Sequence, residues 1–407
     1  MPSVRQTRST DVPMSPNWAV RFRTLVMAAV FAAAMPIVIA AQEHVFYALG
    51  SPESASKDVR LYEVDSSTLR VVRSVTVQRQ TPGRETVNMT SGMLTGARDA
   101  ILLTDGQLQS SSMLRVSAPA LESKGQWAMK DFQIQGAMCL DHVFVHPVTN
   151  LAYFSCDAGS GGNGFVILDT SRPAVAGDFP DAPPVPSTWP HLSLFRPRFV
   201  YAPNSKRLYL VGKNVLALDS ENHAVDYISV RELAQIANIS TVREIDNLVV
   251  LANGNLVLLT DKQRSPALIL YNPDARKVLQ HWTETQKYGE KESYTDSRTG
   301  KNEERLVQKI ARIRCGPVAS QDGSHLFAVS EGDIVSWDAD TLSELTRLDA
   351  PEPPDTDNGE CFHPAPDGRG AWYVGQSGKV YRLDDRTGKF IEEVKLPFRL
   401  ISLIREP

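Results

Sequence analysis

A pair of short apolar runs, joined by a turn, recurs along nearly the whole of this 407-residue chain. The first run of the pair reads His44-Val45-Phe46-Tyr47-Ala48-Leu49, then Ala100-Ile101-Leu102-Leu103, then Leu151-Ala152-Tyr153-Phe154. It returns as Leu208-Tyr209-Leu210-Val211, Leu256-Val257-Leu258-Leu259, Leu326-Phe327-Ala328-Val329 and Ala371-Trp372-Tyr373-Val374. A spacing of about 45 to 70 residues marks a repeated supersecondary unit. A second run follows, usually ending in an acid, as in Arg60-Leu61-Tyr62-Glu63-Val64-Asp65, Val215-Leu216-Ala217-Leu218-Asp219 and Val380-Tyr381-Arg382-Leu383-Asp384. Its alternation has period two, which suits strands with one buried face. The terminal aspartate can cap the next turn with its own side chain, as in Asp384-Asp385-Arg386-Thr387-Gly388. Turns such as Gln321-Asp322-Gly323 and Pro366-Asp367-Gly368 precede several first runs and fit a hairpin from a preceding strand.

Seven such units of four strands predict an all-β fold, a seven-bladed β-propeller over residues 42–407. The first unit lacks an innermost strand, while the apolar tail at 398–404 has no following partner. The tail is therefore expected to pair with the N-terminal blade and close the ring, which removes exposed sheet edges.

Residues 1–41 read as a signal peptide. Arg21 and Arg23 precede an apolar run from Leu25 to Ala41, and small residues stand before Gln42. The run contains Pro36 and is shorter than the ~20 residues of a membrane span. An uncleaved anchor is the alternative; either way the remainder is expected to be secreted or periplasmic, with no span in the mature chain. Without the leader, 39 basic and 46 acidic residues remain, a formal charge of −7. That acidity argues against nucleic-acid binding.

Departures from the repeat are expected on one face, where inter-blade connections and the loops between second and third strands emerge. Residues 284–309 form a charged insertion that reads as a solvated loop or a docking element. Residues 172–190 are proline-rich and read as a stiff connection, and 230–238 as a short surface helix. Small-residue loops at 51–57 and 159–164 fall on the same face. A protein partner or a small anionic ligand is expected to meet this decorated side.

Arginine recurs at the starts of innermost strands: Arg196, Arg198, Arg243, Arg312, Arg314 and Arg399. Superposing the repeats places Arg312 over Arg243, and Arg314 over Arg196. Such guanidinium groups ring a channel mouth and suit a carboxylate or phosphate; alternatively they pair structurally with Glu244, Asp246, Glu360 and the acids Asp355 and Asp357. His142 and His146, four apart on one strand, and His363 on the corresponding strand of the last unit are candidates for a catalytic or metal role, ordinary strand positions being the alternative, and His142, Glu360 and His363 join the arginines as channel-mouth candidates. The oxygen-rich run from Asp355 to Glu360 lacks the spacing of a twelve-residue calcium loop. Neither a metal site nor a cofactor is expected, and no hydrolase, zincin, phosphate-loop or dinucleotide motif occurs in a fitting context. Catalysis is left open by the sequence, since propeller sites assemble from distant strands.

Four cysteines in an exported chain permit two disulfides. Cys139 and Cys156 face each other across one hairpin, and Cys315 and Cys361 start neighbouring innermost strands at nearly equal heights. Pairs 139–156 and 315–361 are favoured, with buried free thiols as the alternative.

The unit pattern resembles the YVTN-type and quinoprotein amine dehydrogenase-like propellers. The segment Cys139-Leu140-Asp141-His142-Val143-Phe144 with Tyr153-Phe154-Ser155-Cys156-Asp157 is similar to the cysteine-bridged hairpin of amine dehydrogenase large subunits. That resemblance implies a platform subunit whose quinone cofactor resides on a separate small subunit. Two functions are thus in view: an extracytoplasmic binding or scaffolding propeller, or a propeller enzyme or enzyme subunit, either amine-dehydrogenase-like or a lyase or hydrolase working at the channel mouth.

Overall fold

The computed structural model describes residues 45–52, 58–78, 89–105, 112–128, 137–149, 151–158, 165–169, 198–239, 242–295, 298, 302–354 and 361–405. The chain divides into two units, Met1–Val45 and Phe46–Pro407, and the second holds the repeats.

The strands are β1 (Val45–Pro52), β2 (Val59–Asp65) and β3 (Val71–Gln78), followed by β4 (Met89–Leu94), β5 (Ala100–Asp105), β6 (Ser112–Ser117) and β7 (Glu122–Ala128). Next come β8 (Ala137–Val145), β9 (Leu151–Ala158) and β10 (Phe165–Asp169), then β11 (Arg198–Ala202), β12 (Arg207–Val211), β13 (Val215–Leu218) and β14 (Ala224–Ile228). Helix α1 (Val230–Ala237) leads to β15 (Ile245–Val250), β16 (Leu256–Thr260), β17 (Ala267–Asn272) and β18 (Lys277–Thr283). A ribbon of β19 (Lys287–Thr295) and β20 (Asn302–Ile310) precedes β21 (Ile313–Ala319), β22 (His325–Ser330), β23 (Asp333–Asp338) and β24 (Glu344–Asp349). Last are β25 (Phe362–Pro364), β26 (Ala371–Val374), β27 (Val380–Leu383), β28 (Phe390–Val394) and β29 (Phe398–Leu403).

Among the described residues six sheets are four-stranded antiparallel meanders, so they make six such blades where seven were expected. The expectation counted the two apolar middle strands, which every repeat possesses. The unit at 137–169 has them and an inner strand, in the order β10-β9-β8, but no fourth strand among the described residues. A repeat of the middle strands is not yet a blade.

The closing pair is as expected. β29 lies antiparallel to β1, with Ala48 opposite Leu403 and Pro52 opposite Phe398, making the sheet β29-β1-β2-β3. Gly50 sits at the bulge in this pairing; a Cβ there would lie 2.5 Å from Phe398 Cδ2 and 2.8 Å from the Arg399 carbonyl. Only glycine lets the two ends approach so closely. Beyond β29 the chain bridges to β4, where Leu94 N–H donates to the Arg405 carbonyl at 2.9 Å.

Burial explains why the middle strands dominate the sequence signal. All five residues of β16 are buried, whereas the outer strand β18 is mostly exposed. The one-sided burial expected for the second runs is not found: β13 and β27 are buried on both faces. Each blade packs between two others, so alternation there is apolar against apolar rather than apolar against polar. One cluster joins β1, β2, β26 and β29 through Ala48, Tyr62, Trp372 and Phe398, with Tyr62 and Phe398 stacked at 4.0 Å. Another joins adjacent blades around Trp337, through Val257, Leu259 and Leu268, with Trp282 edge-on at 4.9 Å.

The turn chemistry also follows the sequence. Asp384 Oδ1 accepts from the Arg386 and Thr387 N–H groups at 3.1 and 2.8 Å, and Asp65 does the same for Ser67 and Thr68. Those bonds hold the Asp65 carboxyl down at about 2, the Ser67 hydroxyl contributing most. Helix α1 forms at 230–237 because Val230, Leu233 and Ala237 bury one stripe, and it stops at Asn238, whose φ of 54° is left-handed.

Residues 284–309 depart from expectation. They are not a loop but the antiparallel ribbon β19–β20, with Glu292 opposite Arg305. Opposite charges across strands and a full backbone ladder replace an apolar core. Glu284 belongs to the blade instead, and is buried. The expected connections at 172–190 and 159–164, residues 53–57 and the run 355–360 lie outside the described residues.

Cys315 and Cys361 form a disulfide with Cα atoms 6.0 Å apart, stapling β21 to the start of β25. The cross-link spans 46 residues of chain. Replacing both cysteines with alanine is expected to cost about 2–4 kcal/mol in urea denaturation; a change below about 1 kcal/mol would show that the staple is idle. Cys139 and Cys156 are directly opposed in the β8–β9 register, and their side chains lie outside the described residues.

Candidate binding site at the channel mouth

The innermost strands β8, β11, β15, β21 and β25 surround a cavity of about 380 Å³. Its wall is mainly apolar, from residues such as Phe144, Tyr201 and Val249. Polar groups enter at four places: Arg198, Asn247, His363 and Arg405. Asn247 is fixed by donating its amide to the Gly316 carbonyl at 3.1 Å, and Arg405 by donating to the Val143 carbonyl at 2.7 Å. An apolar hollow with a few convergent polar groups is the usual form of a small-molecule site.

Charge gathers where β11 and β15 begin. Arg198 begins β11, Asp246 lies near the start of β15, and Lys262 follows β16 in the turn toward β17. Asp246 Oδ2 accepts the Lys262 N–H at 2.8 Å, and the Lys262 carbonyl accepts from the Ile313 N–H at 2.9 Å. Lys262 is thereby rooted between the innermost strands of two blades. Burial and then the Arg198 cation hold its ammonium below the ordinary lysine value. Burial pushes the Asp246 carboxyl up to about 6, against the Lys262 N–H bond and the Lys262 charge; Glu244 and Asp261 add to the rise. Neither the Lys262 ammonium nor the Arg198 guanidinium has an ion pair or hydrogen bond among the described residues. Perturbed groups at a cleft are a physical marker of function.

The remaining arginine candidates do other things. Arg312 and Arg314 converge on Glu331, at 2.8 Å each, and Arg312 also lies over the Tyr288 ring at 5.2 Å. Their partner is thus Glu331, outside the set of acids expected from sequence. Arg243 and Arg312 are indeed equivalent: Arg243 N–H donates to Asp261 Oδ2 at 2.9 Å and Arg312 N–H to Glu331 Oε1 at 3.2 Å. The Arg243 side chain is exposed beside α1, in a surface groove with Lys213 and Arg231. Arg399 is exposed and lies across Gly378. Arg196 and Glu360 lie outside the described residues, as does the side chain of His142. His146 is buried, its Nδ1 accepting from the Val148 and Thr149 N–H groups at 3.2 and 3.1 Å, while burial lowers its pKa. Of the described histidines, His146 thus serves its own turn, while His363 lines the cavity. Among the described residues no three His, Cys, Asp or Glu side chains are placed to hold a metal ion.

Sequence reasoning did not single out Lys262 or Arg405; of its own candidates, Arg198 and His363 line the cavity. A signal existed for Lys262. Thr260-Asp261-Lys262 and Ser330-Glu331-Gly332 stand at the ends of equivalent strands, so superposing those ends sets Lys262 beside the starts of the innermost strands, as Glu331 is.

No protein-family model and no curated protein matches this chain. Solved structures do. A 6-phosphogluconolactonase-like protein of Bacteroides fragilis aligns with a TM-score of 0.52 at 11% identity, over 89% of this chain and 98% of that one. A protein from Lactobacillus plantarum aligns with a TM-score of 0.53 at 11% identity, over 88% and 99%. A Bacteroides uniformis counterpart of the first gives 0.51 at 13% identity, over 89% and 99%. At such identities the likeness is one of fold: the chain is built as a β-propeller.

Proposed function

We propose that this chain is an extracytoplasmic β-propeller that holds a small anionic ligand at the channel mouth. The observation that carries the reading is Arg198, a half-buried cation that lines an apolar cavity and lacks an ion pair among the described residues, with the half-buried Lys262 cation as its neighbour in charge. Like charges placed side by side cost energy, and an anion between them offsets it. Arg198 grips a carboxylate or phosphate, and the apolar wall below accepts the rest of a small molecule. Export is supported by the leader-like segment at 1–41 and by the Cys315–Cys361 disulfide.

The test is calorimetric titration of the purified chain with a small carboxylate such as pyruvate. Arg198→Ala is expected to weaken binding about 10- to 100-fold. Equal affinity in the two proteins would sink the reading. Binding also has a predicted pH dependence. Below about 6 Asp246 is neutral; above that value its negative charge opposes the anion. Affinity should therefore fall as pH rises through 6, and Asp246→Asn should flatten that fall.

A second reading, a platform subunit like that of amine dehydrogenases, is favoured by the direct opposition of Cys139 and Cys156. Co-purification of a small cysteine-rich protein from the native envelope would favour it, and its absence from a stoichiometric preparation would count against it.

A further inference from the structure

A lysine that merely attracts an anion gains from keeping its full charge, and Lys262 is placed where charge is opposed. Its main chain is held at both ends of the residue, by Asp246 on one side and Ile313 on the other, so the side chain swings from a fixed root. The residue is half-buried, and its neighbours in charge are Arg198, Asp246 and Glu244. Arg198 and the loss of water both favour the free amine, and a lysine desolvated or set next to another cation is the recurrent form of an activated amine nucleophile. Asp246, whose Oδ2 already touches the Lys262 residue, is a carboxyl that both holds and releases a proton near neutral pH.

We propose that Lys262 condenses with the carbonyl of a small 2-oxo carboxylic acid to form an imine, with the carboxylate of that acid resting on Arg198 and Asp246 moving the protons. The proposal rests on the anion-binding reading of the same mouth. In the first step the lone pair of the neutral Lys262 amine forms a bond to the carbonyl carbon. The carbonyl π electrons go to oxygen, which takes a proton from the Asp246 carboxyl. The nitrogen then gives a proton to the Asp246 carboxylate, leaving a neutral carbinolamine. In the second step the nitrogen lone pair expels the hydroxyl, which leaves as water with the Asp246 proton. The resulting iminium carries the charge that Lys262 lost, and nothing is oxidised or reduced. What such an adduct does next is not needed for the test.

The full-length mature chain is incubated with pyruvate at neutral pH and treated with sodium cyanoborohydride, and the adduct is mapped by peptide mass spectrometry. The expected result is one reduced pyruvate adduct, on Lys262. Lys262→Arg keeps the cation and has no nucleophilic amine; it should bind pyruvate in calorimetry yet yield no adduct. Asp246→Asn should bind pyruvate and form the adduct more slowly. If wild type binds pyruvate but is not trapped, or if the adduct maps to surface lysines and survives Lys262→Arg, the imine proposal is overturned and the anion site stands. If pyruvate, glyoxylate and 2-oxoglutarate all fail to bind wild type, the anion reading fails and takes the imine with it. Circular dichroism of each variant separates loss of the group from loss of the fold.

Discussion

Replacing Glu284 with alanine should lower the unfolding free energy by about 3–5 kcal/mol, the usual cost of removing one partner from a buried ion pair. The Glu284 side chain is 1% exposed. Its Oε2 accepts from Ser330 Oγ at 2.6 Å and from Arg347 Nη2 at 3.1 Å, while Oε1 accepts from the Thr285 and Gln286 N–H groups. It ties the end of β18 to β22 and β24 of the next blade. Alanine at 284 would strand the Arg347 cation, 15% exposed, with Glu344 as its closest remaining anchor. The pair itself contributes less than this suggests, because both charges lost water to make it. Glu284→Leu combined with Arg347→Met should accordingly recover most of the loss. Urea denaturation of the single and double variants decides it: a single-variant loss below about 1 kcal/mol would mean that water solvates Arg347 as at an exposed pair.

Trp372→Ala is the second large effect, about 3–5 kcal/mol from lost burial and the cavity left behind. Trp372 is fully buried, and its cluster contains Ala48, Phe398 and Leu400 from the two chain ends, with Phe46 edge-on at 5.6 Å. Its indole nitrogen has no hydrogen-bond partner among the described residues. Trp372→Phe removes that buried donor along with some area, so it should cost clearly less than alanine. Thermal melts of both variants check the order; equal losses would mean that the seam does not depend on filling this volume.

The repeat, the closing strand, the aspartate-capped turns and helix α1 were legible because each depends on residues near in sequence or on a pattern shared by all units. Asp384 needs only Thr387, and β29 needs only an apolar strand left over at one end and missing at the other. The blade count was not legible from the apolar middle strands, since outer strands such as β18 and β28 are exposed and compositionally ordinary. The ribbon β19–β20 was hidden by its charge, and Glu284 by its neighbours: a carboxylate at the head of a charged run reads as solvated, and what buries it stands 46 and 63 residues away. The site was half legible. Innermost-strand arginines pointed at the channel, yet which of them stays unpaired depends on Glu331, and Lys262 gains its character from burial and then from Arg198 in a different blade.

Joining the first described strand to the last has a temporal side. β1 finds its inner neighbour only when the residues of β29 are present, some 350 positions later in the chain, and a contact of such sequence separation is slow to form. During synthesis from the N-terminus, an apolar strand would wait with one flank bare until the chain is nearly complete. Until Phe398 to Leu403 arrive, that flank is a template for any other extended chain. A version truncated before Phe398 should therefore accumulate as aggregate rather than as a smaller soluble propeller, which makes the final strand the latch on which solubility turns.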